Sequence, residues 1–186
     1  MKTLLGISGS LRRGSFNTAL LRAAARSMPE GAVLEVRTLH GIPLYDGDVE
    51  ARDGIPGAVQ VLKEAVVTAD GVVLATPEYN NGIPGVFKNA IDWISRPPAD
   101  IPHVFGGKRM ALMGASPGTF GTVLSQSAWL PVLRALGACP WFGPKLQVAH
   151  ARQVFAETGE LVDQGVAQQL DQFLRGFIDF LDQSIP

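Results

Sequence analysis

Residues 4–20 run Leu-Leu-Gly-Ile-Ser-Gly-Ser-Leu-Arg-Arg-Gly-Ser-Phe-Asn-Thr-Ala-Leu, and this passage restricts the fold more than any other in the chain. It begins as a short apolar run over 4–7, the pattern of a buried strand. It ends on Ala19 and Leu20, which with Ala23 and Ala24 share one helix face. Between them lie two glycines, Gly9 and Gly14, four hydroxyl residues, two arginines and an asparagine. A strand, a loop of small residues and a helix N-terminus together make an anion site. The first N–H groups of the helix have no partner inside it, and they carry the positive end of its dipole. Arg12 can add a bidentate, charge-assisted grip, and Ser10, Ser15, Asn17 and Thr18 can donate from their side chains. The passage predicts a phosphate site.

Spacing narrows the kind of phosphate. The loop is not Gly-x-x-x-x-Gly-Lys-Ser/Thr, which argues against a nucleoside triphosphate, and Gly6, Gly9 and Gly14 do not make Gly-x-Gly-x-x-Gly. Many hydroxyl donors around one arginine suit a terminal phosphate monoester. On this stretch alone, an ordinary strand-to-helix turn with a solvated Arg12-Arg13 pair stays open.

Further along, strands and helices alternate. Strands are expected over 32–38, where Glu35 and Arg37 mark a wet edge, over 71–76, apolar without alternation and so central, and over 109–115. An interrupted edge strand is expected over 139–142 and 145–148, since Pro140 argues against a central position. Helices are expected from the first loop to about residue 28, over 58–69, over 84–94 with Pro84 in the first turn, and up to about 136 with a kink or break at Pro131. The last helix is the clearest: Val166, Leu170, Phe173, Leu174, Phe177, Ile178 and Leu181 keep one face apolar. Residues 40–57 read as a long loop and 97–107 as a Pro-rich connection. Five strands alternating with five helices imply an α/β fold, a parallel sheet with helices on both faces.

Composition limits the setting. A chain of 186 residues is expected to form one domain, residues 1–186. A net charge of −1 suggests neither nucleic acid nor an anionic membrane as partner. No apolar run reaches membrane length, and the single cysteine, Cys139, excludes an intrachain disulfide and fits a reducing cytoplasm. Beside Gly137 and Ala138 it reads as a small core residue. No metal site is expected.

In such a sheet, ligands bind beyond the C-terminal strand ends where strand order reverses. Three loops leave the strands there: Gly9 to Asn17, Pro77 to Gly82 and Ser116 to Gly121. In the second, Pro77, Glu78, Tyr79, Asn80, Asn81 and Gly82 combine stiff and bent backbone with a flat aromatic, a frame for a planar heteroaromatic ligand, or else a turn that caps the next helix. In the third, Ser116, Pro117 and Gly118 allow close backbone approach to a ring or sugar, or form a structural turn.

Gly9-Ser10-Leu11-Arg12 with Ser15-Phe16-Asn17, then Pro77-Glu78-Tyr79-Asn80, then Ala115-Ser116-Pro117-Gly118, resembles the NAD(P)H-dependent FMN reductase family, which includes flavin, quinone, azo-dye and chromate reductases. The similarity spans nearly the whole chain, and Pro-Glu-Tyr-Asn is its most specific motif. It implies a flavodoxin-like three-layer sandwich, a five-stranded parallel sheet of order 2-1-3-4-5, non-covalent FMN, and a homodimer or homotetramer. Carried over, Ser10, Arg12, Ser15, Asn17 and Thr18, in a loop with Gly9, Leu11 and Phe16, would hold the FMN phosphate. Pro77, Glu78, Tyr79 and Asn80, with Asn81 and Gly82, would frame the isoalloxazine, and Ser116, Pro117 and Gly118 would lie near its far side. The third motif departs from the commoner form, which continues Gly-Gly and then arginine; here Gly121-Thr122-Val123-Leu124 stands in its place.

The resemblance implies hydride transfer from NADPH or NADH to flavin N5 and on to a small-molecule acceptor: a quinone, azo dye, metal oxyanion or flavin. Such chemistry belongs to the cofactor and needs no catalytic side chain. His40, His103 and His150 form no nucleophilic pattern with a serine or Cys139. Glu78 and Asp92 are a possible carboxylate pair that this reaction does not require. Arg13 either meets a 2′-phosphate or, as is commoner for such a residue, stands solvated, and Trp93, Trp129 and Trp141 are candidates for a subunit interface. A flavodoxin-type electron carrier and a non-catalytic redox or nucleotide sensor are the competing functions.

Overall fold

The computed structural model describes residues 1–183. Strands β1 (Lys2–Ser8), β2 (Ala32–Arg37), β3 (Gly71–Ala75), β4 (Arg109–Ala115) and β5 (Cys139–Pro140) form a sheet of order β2-β1-β3-β4-β5, with β6 (Leu146–Val148) also paired to β4. Every pairing is parallel, so all the strands end on one side. The order reverses between β1 and β3, where Leu4 lies beside Gly71 and Ser8 beside Ala75.

Helices cover both faces, and the alternation of side chains along the central strands divides the core. On one side Leu4, Val73, Ala111 and Met113 pack against α1 (Phe16–Arg26) and α8 (Gln164–Asp182), whose Phe173, Leu174 and Phe177 are buried. On the other, Leu5, Ile7, Val72 and Leu74 meet α3 (Gly57–Thr68), α4 (Gly85–Ile94) and α6 (Val123–Ala135). β3 is buried at all five positions, as its unalternating apolar sequence requires. No helix among the described residues is long and apolar enough to cross a membrane.

The structure corrects several expectations. Residues 40–57 contain a helix, α2 (Gly47–Asp53), begun by Asp46, whose side chain accepts from Asp48 N. It buries no residue, so it leaves no apolar period to read. The connection over 97–107 holds a 3₁₀ turn (Pro98–Asp100) and the short helix α5 (Ile101–Phe105). The interrupted edge strand exists, but shrunk to two short pieces that each pair β4. A further turn of helix, α7 (Ala151–Val154), precedes α8. Pro131 does not break α6; it sits on an exposed position within a continuous helix. Pro84 is the N-cap of α4, one position before its first turn. Trp93 and Trp129 are fully buried and are not interface residues, and Trp141 packs 5.2 Å from the ring of Phe173. Cys139 is half-buried on the edge strand rather than in the core.

At the C-terminal end of β4, Gly114 has no room for a side chain. A Cβ there would lie 2.1 Å from Thr122 Oγ1 and 2.3 Å from the Thr76 carbonyl oxygen, and the carbonyl cannot rotate away. Gly114→Ala should therefore lower unfolding free energy by about 1–3 kcal/mol, the usual range for overpacking, measured by urea denaturation; wild-type stability would mean that the β3–β4 end relaxes freely.

Candidate functional site

The strand ends bring the three loops together. Ser10, Arg12, Ser15, Phe16 and Asn17 from the first, Pro77, Glu78 and Tyr79 from the second, and Ala115, Ser116 and Pro117 from the third line one cleft.

The first loop is shaped by its hydroxyls. Ser15 is the N-cap of α1, and its Oγ accepts from Thr18 N at 3.3 Å. Ser10 Oγ likewise accepts from Arg12 N at 3.2 Å. Each hydroxyl accepts from its own loop, which leaves its proton to donate outward. No hydrogen bond among the described residues uses the N–H groups of Ser15, Phe16 or Asn17. With the exposed Arg12 guanidinium beside them, the first loop presents donors and carries no carboxylate of its own, which is what a phosphate monoester demands. These residues fit the phosphate of FMN.

Not every residue expected to donate is turned towards the cleft. Asn17 is buried, and its amide bridges the loop to β4: Nδ2 donates to Ala115 O and Oδ1 accepts from Ala115 N, each at 2.9 Å. Thr18 Oγ1 lies 2.7 Å from Ser8 Oγ, pointing back to β1. Both position the loop. Gly9 is buried beneath it, where a Cβ would lie 2.1 Å from Phe87 Cδ1. Leu11 lies outside the cleft, and its carbonyl is held by His40 Nε2 at 3.1 Å, a contact that sequence reasoning did not assign. His40 stands just past the end of β2, so the topology alone could have suggested it.

The second loop is a tight turn. Asn80 and Asn81 have φ of 49° and 62°, and Tyr79 and Gly82 exchange backbone hydrogen bonds of 3.2 and 3.0 Å. Asparagine tolerates this left-handed conformation better than most residues. The turn holds Tyr79 at the cleft rim, 46% exposed. Asn80, Asn81 and Gly82 form the turn itself and do not line the cleft. Glu78 has no carboxylate partner: its Oε2 accepts from Leu124 N at 2.9 Å and Ser125 N at 3.0 Å. It thus caps α6, where a negative charge meets the positive end of the helix dipole. Asp92 instead pairs with Lys88 at 2.6 Å. Behind the loop, Thr76 Oγ1 lies 2.8 Å from Ser125 Oγ and accepts from Trp129 Nε1 at 3.1 Å.

The third loop is stitched to the chain after β6. Ser116 N donates to Val148 O, Ala151 N to Ser116 O and His150 N to Gly118 O, each at 3.0 Å. Ser116 and Pro117 reach the cleft, and Gly118 serves this connection. Within the Gly121-Thr122-Val123-Leu124 stretch Leu124 is 47% exposed, and Phe120 just before it is 78% exposed. No group of three or more His, Cys, Asp or Glu among the described residues is arranged to hold a metal.

A family description of NADPH-dependent FMN reductases matches residues 2–153. The chain is 42% identical to an NAD(P)H-dependent FMN reductase of Pseudomonas aeruginosa over 92% of its own length and 91% of the relative's. It is 39% identical to a quinone reductase of Escherichia coli, with 94% and 93% covered. It superposes on a flavoenzyme NAD(P)H:(acceptor) oxidoreductase from Paracoccus denitrificans with a TM-score of 0.85 at 32% identity, covering 98% of both chains.

The bridge and the cap make separable predictions. Asn17→Ala leaves the buried Ala115 N–H and C=O unpaired and should lower apoprotein stability by about 2–4 kcal/mol in urea denaturation, since each orphaned buried group costs about 1–3 kcal/mol. Glu78→Ala removes a helix cap and should cost about 1 kcal/mol, with hydrogen exchange accelerated in the first turn of α6 and unchanged in α1. Uniform acceleration across both helices would contradict that local role.

Proposed function

The chain belongs to the NADPH-dependent FMN reductase family, and from that premise we propose that it is an FMN-containing oxidoreductase that draws on NADPH or NADH and reduces a small acceptor such as a quinone, azo dye, metal oxyanion or free flavin. The observation that carries this reading is the donor set of the first loop: two hydroxyls already accepting from their own loop, three N–H groups without partners among the described residues, and Arg12. When bound, FMN supplies hydride transfer at N5 between nicotinamide and acceptor.

The protein's part is placement. Ser10, Arg12, Ser15 and the N–H groups of Ser15, Phe16 and Asn17 hold the phosphate, with Thr18, Asn17, Gly9 and Leu11 shaping the loop. Pro77, Glu78 and Tyr79, set by the Asn80-Asn81-Gly82 turn, frame the ring, and Ser116, Pro117 and Gly118 close its far side. Substrate and acceptor take turns at the open side of the cleft, so no side chain need act as acid or base. The whole chain works as one FMN-binding domain in the cytoplasm. Exposed Phe120, Leu124 and Phe142 support a homodimer or homotetramer, because large apolar side chains left in water favour association.

Anaerobic addition of NADPH or NADH to the FMN-loaded protein tests the reading. Rapid bleaching of the flavin is expected, followed by reoxidation on adding a quinone. No bleaching by either nicotinamide would favour the electron carrier, and bleaching without turnover would favour the sensor. Arg12→Ala should weaken FMN at least about tenfold through loss of a charge-assisted contact, with the apoprotein melting curve unchanged. Equal FMN affinity would remove Arg12 from the phosphate site.

A further inference from the structure

Arg13, Arg22 and Arg152 come from three places in the chain, the first loop, the middle of α1 and α7, yet they line one groove of about 640 Å³. All three are exposed, and among the described residues none takes part in a salt bridge or hydrogen bond. Arg37, Arg52, Arg96 and Arg175, by contrast, each pair with an acid. Glu157 is the one carboxylate lining the groove, set against three guanidinium groups. One wall is aromatic: Phe16 and Phe155 stack with centroids 5.8 Å apart. Ser15 and Phe16 line both this groove and the cofactor cleft, so the two are continuous.

We propose that this groove is the subsite for the 2′-phosphoadenosine end of NADPH, with Arg22, Arg152 and Arg13 receiving the 2′-phosphate. The inference rests on the oxidoreductase reading above and goes beyond it, because it selects NADPH over NADH. Like charges gathered at one surface repel and are stabilised by an anion between them. The FMN phosphate does not fill that role, since Ser10, Arg12 and the α1 N-terminus already provide for it at the neighbouring cleft. NADPH differs from NADH only by a phosphate monoester on the adenosine ribose, remote from the nicotinamide. Guanidinium groups recognise such a group by paired, charge-assisted hydrogen bonds. The exposed part of the Phe16 ring offers the adenine a stacking surface.

The test uses the FMN-loaded protein, with wild type, Arg22→Ser, Arg152→Ser and the double variant compared. Neither arginine contacts the core, and neither is part of the FMN phosphate loop. Calorimetric titration with 2′,5′-ADP and 5′-AMP should show the former binding at least about tenfold tighter to wild type, and the preference vanishing in the double variant. In anaerobic stopped-flow, each single change should lower the rate constant at limiting NADPH by about tenfold, with NADH altered less than about twofold. Equal affinity for 2′,5′-ADP and 5′-AMP in wild type would overturn the proposal, as would parallel losses with both nicotinamides. Should neither nicotinamide reduce the flavin, the oxidoreductase reading falls by itself; the groove would still stand or fall on its 2′,5′-ADP preference.

Discussion

The contact on which the cleft depends is the double hydrogen bond between the Asn17 amide and the backbone of Ala115. Asn17 lies in the first turn of α1, and Ala115 is the last residue of β4, two strands away in the sheet. One buried side chain thereby fixes the first loop against the loop that starts at Ser116. A buried amide satisfied at both ends of the bond is rigid as well as stabilising, because breaking it leaves backbone groups unpaired in a dry interior. The helix N-terminus is therefore aimed, and its free N–H groups point to a defined place.

The second loop is held by the same kind of bond in the opposite sense. Glu78 reaches across to cap α6, while Thr76, Ser125 and Trp129 join by hydrogen bonds beneath it. The third loop is tied to the segment 148–151 by main-chain bonds. Each loop is thus anchored to an element other than the two it connects. That arrangement suits a site whose chemistry is carried by a bound cofactor. What the protein must supply is a fixed frame and an open side, and polar side chains here serve position more than reaction.

Charge is distributed unevenly for a chain whose net charge is −1. Among the described residues seven acids pair with bases, whereas Arg12, Arg13, Arg22 and Arg152 surround the first loop without partners. A positive rim of this kind raises the local concentration of anionic ligands. Phe120 in the third loop and Leu124 at the start of α6 leave apolar side chains exposed.

The sequence by itself determined the sheet and its reading direction. Strands such as β3 are apolar throughout, and the period of α8 is long, so both survive as local patterns. It also marked all three loops, since small and turn-forming residues follow a strand at each: Gly9, Ser10 and Ser15 in the first, Pro77, Asn80 and Gly82 in the second, and Ser116, Pro117 and Gly118 in the third. What only the tertiary structure decided is which way the polar side chains turn. The side chains of Asn17 and Thr18, read as ligand donors, bond β4 and β1; Glu78, which lines the cleft, also caps a helix; and Trp93 and Trp129 read as interface but fill the core. Helix α2 escaped because it buries nothing, and Arg152 joined Arg13 only through packing of α7 beside α1. Backbone conformation is largely a local matter of propensity and period, whereas the partner of a polar group is set by residues far away in sequence that folding brings within about 3 Å.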